Sequence, residues 1–275
     1  MARFQSLPDR IDTITTSISD QAMCQNYGMV TTCNLVINTP TAATTKPRVE
    51  VTSPCACCAW TVPTGITTIF IEVWGAGGGG GGSGNCCCCS QGPGGGGGGY
   101  VSQTITTVPG CVYTLCVGAG GNYGCAACTN ATQGGTSYVT GYNLTNLCAV
   151  GGAGGTSGPC NDCNQNCYGS NTCILGRSFG GGTYANNIIS ACGEGGHLFG
   201  KPIGCRNENK GGSAPFNGGI GAWWTYISCC MYAPNWGGVG GDFPGGGGSG
   251  APQTCCCGIC NCGACGAGGF VRIWY

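Results

Sequence analysis

Charge is the scarcest commodity in this chain. Only 7% of its 275 residues are charged, nine basic and nine acidic, and the formal net charge is zero. No dense basic cluster occurs, so nucleic acid and acidic membrane surfaces are not expected partners. No apolar run is long enough to cross a bilayer, so membrane insertion is not expected either. There is one histidine, His197, in Gly195-Gly196-His197-Leu198-Phe199, with Glu194 nearby. A catalytic role would need a nucleophile beside that imidazole and an acid to orient it. Nothing singles one out among the serines and cysteines, so no catalytic residue is assigned. Glycine patterns that imitate phosphate loops are trivial in such a chain, and none is followed by a helix pattern or a Gly-Lys-Ser/Thr. Residues 1–10 lack the apolar stretch of a secretory signal.

What the chain does have is glycine and cysteine, 59 and 28 residues. Glycine and proline at this level are usual in low-complexity chains. Disorder is nevertheless not the expected state. So few charges cannot keep a chain solvated by self-repulsion, and segments rich in Ile, Val, Thr and aromatics recur between the glycine tracts. The stretch from Trp60 to Tyr100 sets the pattern. A strand-like segment ending in Ile71-Glu72-Val73-Trp74 runs into Gly75-Ala76 and the glycines 77–82. Cys86–Cys89 follow, then glycines 94–99 and a new strand from Tyr100.

The end of the chain mirrors this start. Side chains alternate across a strand, so Phe70, Glu72 and Trp74 share one face, as do Phe270, Arg272 and Trp274. Both segments meet a Gly-Ala-Gly-Gly at the same end, which implies an antiparallel pair. Glu72 is predicted opposite Arg272, with Phe70 near Trp274 and Trp74 near Phe270. Further strands are expected at about 29–37, 48–52, 66–74, 100–108, 111–117, 136–140, 147–150, 188–191 and 222–227. Pro109-Gly110 reads as a hairpin turn between the strands on either side of it.

Ordered glycine tracts need a source of stability, because glycine loses much backbone freedom and buries no side chain. Extended threefold helices of the polyproline II type have no internal hydrogen bonds, so their amides and carbonyls point outward. Without side chains, such helices can lie side by side and bond to one another. The fold class expected is therefore all-β. A small antiparallel scaffold, sandwich-like or jelly-roll-like, carries a bundle of polyglycine-type extended helices. A short helix is expected in residues 1–23, with Leu7, Ile11, Ile14 and Ile18 in an a/d-like seam. β-branched residues at both positions lean toward a trimer, while an amphipathic helix docked on a neighbour is the other reading. Residues 24–59 read as a connector and 60–275 as the glycine-rich, cysteine-rich domain.

The cysteines leave three states open: disulfides, buried thiols and metal ligands. Cys257/Cys260 and Cys262/Cys265 have the spacing of a four-thiolate site, but only Asn261 separates the pairs, where metal modules use a longer loop. Disulfides stapling glycine helices are the expected state, and no metal or cofactor is assigned. Cysteine density without a secretory signal fits a particle component made in a cytoplasm and released by lysis.

Several stretches resemble glycine-rich domains of tailed-phage virion and tail-fibre proteins. They are Trp60-Thr61-Val62-Pro63-Thr64-Gly65, Ile71-Glu72-Val73-Trp74-Gly75-Ala76-Gly77-Gly78-Gly79, Val108-Pro109-Gly110, Val117-Gly118-Ala119-Gly120-Gly121, Val150-Gly151-Gly152-Ala153 and the closing Gly268-Gly269-Phe270-Val271-Arg272-Ile273. The cysteine-rich form is similar to structural proteins of phages of marine cyanobacteria. The resemblance implies a non-enzymatic virion protein, most of all a tail-fibre or fibre-tip component for host attachment. It would be held to other virion proteins by its N-terminal segment and would contact a host surface glycan or protein. A capsid or tail decoration protein is one alternative. An extracellular filament or matrix protein is the other, for which Asn130-Ala131-Thr132 and Asn143-Leu144-Thr145 would serve as glycan acceptors. The candidate receptor contacts are the aromatics Phe216, Trp223, Trp224, Tyr226, Tyr232 and Trp236, since aromatic rings supply rigid contact area.

Overall fold

The computed structural model describes residues 35–38, 48–52, 57–82, 92–125, 129–156, 183–184, 189–200, 207–226, 238–251 and 261–275. Among these every regular element is a strand. The expected helix of residues 1–23, with Leu7, Ile11, Ile14 and Ile18, lies outside the described residues.

Three antiparallel sheets account for the strands. The largest contains β1 (Leu35–Asn38), β2 (Arg48–Val51), β4 (Thr68–Trp74), β5 (Tyr100–Thr106), β10 (Ser190–Ala191) and β14 (Phe270–Trp274), in the order β1-β2-β14-β4-β5-β10. The second contains β3 (Cys57–Thr61), β6 (Val112–Cys116), β7 (Ser137–Gly141), β8 (Leu144–Ala149) and β9 (Thr183–Tyr184), in chain order. A small third sheet is built from β11 (His197–Gly200), β12 (Asn207–Lys210) and β13 (Trp223–Tyr226).

The first two sheets pack face to face. Alternation along β4 turns Ile69, Ile71 and Val73 inward, where they stand level with Ile105 and Val101 of β5 and with Ile273 and Val271 of β14. The opposing sheet supplies Cys58, Trp60, Tyr113, Leu115, Val139 and Leu147, and all of these form one core. Burying each large side chain stabilises the fold by about 1.5–3 kcal/mol. Tyr113 is fully buried, and its hydroxyl donates to Tyr142 O at 2.8 Å and lies 2.9 Å from Thr107 Oγ1, so the phenol is satisfied. A Cβ at Gly141 would run into the Tyr113 ring, which is why glycine stands at the irregularity between β7 and β8.

Pro109-Gly110 does make a turn, with Gly110 at φ 83° and Cys111 N donating to Val108 O at 3.1 Å. It is not a hairpin. β5 and β6 belong to different sheets, so this turn carries the chain from one layer to the other. A turn's residues set its local shape but not which partner the next strand finds. β3, β9, β11 and β12 were not legible as strands; β9 is two residues long, β12 is polar, and β3 falls in a cysteine-rich entry without alternating β-branched residues, and β8 begins three residues before the expected strand at 147–150.

Glycine tracts leave one end of the sandwich, following β4, β6 and β8 and preceding β5, β7 and β14. None of the described residues of these tracts is in a strand or in an α-, 3-10 or π-helix. Their backbone groups bond from tract to tract. In the tract after β4, Gly75, Gly78 and Gly81 donate to Gly99, Gly96 and Pro93; Ala76 and Gly79 donate to Gly135 and Thr132; Gly77 and Gly80 donate to Ala267 and Ala264. The same tract accepts from Gly152 and Gly155, from Gly121 and Gly124, and from Gly248 and Ala251. It is thus ringed by six segments, the three antiparallel ones as acceptors and the three parallel ones as donors. Glycine is required here by close approach: a Cβ at Gly78 would overlap the Ala153 carbonyl.

Candidate functional site

The outward face of the six-stranded sheet carries aromatic and charged side chains in alternation. β14 and β4 pair as the sequence mirror predicts, with Arg272 opposite Glu72, Phe270 opposite Trp74 and Trp274 opposite Phe70. Glu72 is the hub. It accepts from the Tyr100 hydroxyl at 2.9 Å and from Trp274 Nε1 at 2.7 Å, and Arg272 Nη1 lies 3.7 Å away. Arg272 Nε gives a shorter bond to Glu50, 2.9 Å, and Arg48 approaches the same oxygen at 3.1 Å. The Arg272 guanidinium also lies over the rings of Phe270, Trp274 and Trp74, at 5.0, 5.4 and 5.7 Å. Burial pushes the Tyr100 phenol up to about 12, and the Glu72 carboxylate beside it acts in the same direction.

Toward the glycine tracts the face becomes wholly aromatic. Rings run Phe216, Tyr100, Trp74, Phe270, Phe243, with successive centroids 4.7, 4.8, 5.4 and 5.3 Å apart. The middle three are buried, and the end rings are half exposed. Trp74 Nε1 donates to Pro215 O at 3.0 Å, which ties the turn carrying Phe216 to the sheet. Phe216 and Asn217 both have left-handed backbone, φ 50° and 59°.

The candidate contact residues fare unequally. Phe216 is exposed as a contact residue should be, but it belongs to this row of rings. Trp223, Trp224 and Tyr226 lie on β13, at register positions opposite Lys210, Asn209 and Asn207 of β12. Tyr232 and Trp236 lie outside the described residues. Phe243 was missed; its only sequence signal is the turn-like Asp242-Phe243-Pro244-Gly245. His197 sits opposite Lys210 at the end of β11, and Glu194 pairs with Lys210 at 3.8 Å.

Two disulfides are present among the described residues, Cys57–Cys116 and Cys125–Cys262. The first joins directly opposed residues of β3 and β6. The second joins two glycine tracts that also bond through Gly263 N to Gly124 O and Gly266 N to Gly121 O. Cys262 is therefore bound to Cys125 rather than left for a four-thiolate site with Cys257, Cys260 and Cys265. Cys111, Cys148, Cys192 and Cys265 are free thiols, and burial raises the pKa of Cys148.

A glycine-rich domain matches residues 52–275. The chain belongs to this glycine-rich domain family. The match takes in both facing sheets from β3 onward and all of the bonded tracts, so the outer aromatic face is part of the glycine-rich domain rather than an addition to it. No curated protein matches the chain.

Proposed function

We propose that this chain is a non-enzymatic structural protein of a tailed-phage virion, a tail-fibre or fibre-tip component serving host attachment. Its glycine tracts are polyglycine-type extended helices bundled beyond the sandwich. The observation that carries the reading is the ring of hydrogen bonds about residues 75–81. Acceptors change in rotation and return every third residue, which is the period of a threefold extended helix. At about 3.1 Å per residue, the six steps from Gly75 to Gly81 project roughly 19 Å from the sheets. Such a bundle is rigid without a hydrophobic core of its own, and it suits a protein that must hold binding groups away from its anchor in the open environment. The cysteine staple between tracts fits that demand. Attachment to other virion proteins belongs to the N-terminal segment in this reading, with a trimer as the expected assembly.

Gold-antibody labelling of intact particles tests the location, using antibody raised against residues 216–236. Label at fibre ends supports the attachment role. Label scattered over the capsid makes the chain a decoration protein instead. Absence of the protein from purified phage particles by mass spectrometry ends the virion reading.

A further inference from the structure

Among the described residues two phenylalanines are exposed to solvent at the ends of the row of rings. Phe216 is 51% exposed and Phe243 49%. Each is pinned from behind, Phe216 on Tyr100 and Phe243 on Phe270. The two turns that carry them form one unit, since Gly219 N donates to Pro244 O and Asp242 N to Ile220 O. Ile220, at 63% exposed, adds apolar surface, and the exposed Asn217 and Asp242 flank it on the same turns. Left-handed backbone at a bulky residue such as Phe216 costs free energy, and it persists where the surroundings enforce it. Here the Trp74–Pro215 hydrogen bond and the stack on Tyr100 do so. The ring is held in place rather than free to fold back.

We propose that Phe216 and Phe243 form a stacking platform for a neutral saccharide. Three chemical features select that ligand. A pyranose ring presents a face of C–H groups to an aromatic ring and hydroxyls at its edge, and each turn offers an exposed ring with a polar neighbour next to it in sequence, the Asn217 amide beside Phe216 and the Asp242 carboxylate beside Phe243. The turns themselves contain no Lys or Arg from Gly211 to Ile220 or from Gly238 to Gly245, and Arg272, which lies over the buried Phe270 and Trp74, is already shared by Glu50 and Glu72, so an anionic ligand is not favoured. The size of the patch favours a small ligand. Half of a phenylalanine side chain presents on the order of 100 Å², and three such side chains fall well short of the roughly 800 Å² per partner of a stable protein interface. One or two sugar rings match that area. This inference rests on the attachment reading only for what the saccharide belongs to; binding itself is a property of the chain.

The test uses the purified full-length chain on an immobilised panel of cello-, laminari-, malto-, manno- and galacto-oligosaccharides, with sialylated and sulfated oligosaccharides as anionic comparisons. Retention on at least one neutral member is expected. Phe216→Ala and Phe243→Ala should each weaken it at least tenfold, and Val112→Ala, an exposed apolar residue of β6 on the other sheet, should not change it. Near-UV circular dichroism verifies that each variant keeps its packed aromatics. A folded chain that retains no neutral saccharide overturns the proposal, as does equal retention by the double variant. Particles carrying both substitutions separate the two readings. Lost adsorption with a blank panel means a protein partner: the saccharide site fails and attachment stands. Normal adsorption with lost panel binding leaves the saccharide site standing and removes its role in attachment.

Discussion

Arg272 stands directly opposite Glu72 in the sheet, yet its shortest ion pair is with Glu50 on the other neighbouring strand, 2.9 Å against 3.7 Å. β14 is the central strand between β2 and β4, so its one cation is shared by two carboxylates. Glu50 is buried apart from 8% of its surface, and without Arg272 it would keep only Arg48, at 3.1 Å, while Glu72 would lose its nearest cation. Arg272→Ala should therefore destabilise the fold by roughly 1–2 kcal/mol, less than the cost of a fully unpaired buried charge. Arg272→Lys should recover only part of this, because an ammonium lacks the planar fork that serves two carboxylates and stacks on rings. Urea unfolding of the three proteins measures it, and a lysine variant as stable as the parent would show that point charge alone suffices.

The Tyr100 phenol makes alkaline stability a readout of the same network. Its folded pKa is about 12 against an ordinary 10. Between those values the unfolded chain loses the proton and the folded chain keeps it, so stability is full below pH 10 and falls as pH rises toward 12. Two units correspond to about 2.7 kcal/mol at most. Tyr113 and Tyr275 are raised by burial too and act in the same direction. Tyr100→Phe should remove Tyr100's share of the slope, as seen in unfolding curves taken at pH 9 to 12. An unchanged slope would mean that Tyr100 ionises freely in the folded state.

Two glycines separate close packing from mere glycine content. A Cβ at Gly78 would overlap the Ala153 carbonyl within the ring of six segments, and relief requires tracts to part and lose hydrogen bonds. Gly78→Ala should cost about 3 kcal/mol or more. At Gly240 the closest atom to an added Cβ is Cys265 O at 3.7 Å, an ordinary contact. Gly240→Ala should be neutral or stabilise by about 0.5 kcal/mol, through a less free unfolded chain. Thermal unfolding of both variants decides, and equal effects would refute a packed bundle.

The threefold period makes a covalent prediction. Tracts 118–125 and 262–269 run antiparallel, with Gly124 bonded to Gly263, Gly121 to Gly266 and Cys125 bridged to Cys262. Three residues back along one tract and three forward along the other place Asn122 level with the free, exposed Cys265. Asn122→Cys should form a second bridge to Cys265, found by peptide mapping without reduction. Failure to form it in a folded protein would mean that the rows do not repeat every three residues.

The alternation of β4 and β14, their antiparallel pairing and the Glu72–Arg272 register were legible because each rests on residues within one or two short segments and on a side-chain period of two. Disulfide chemistry was legible as a class, and the pairing Cys125–Cys262 was not, because it depends on which tracts lie side by side. Phe216 was legible as a candidate contact, whereas Phe243 was not. Its exposure follows from the docking of two turns far apart in the chain.

Composition and periodicity alone therefore determined a β-strand scaffold with glycine tracts set between its strands, since backbone sterics and strand alternation act locally. Only the tertiary structure decided that Pro109-Gly110 switches sheets, that Arg272 serves Glu50 first and that six segments surround residues 75–81. Each of these depends on which distant backbone groups come within hydrogen-bonding reach. Residues that carry no side chain cannot specify that by themselves.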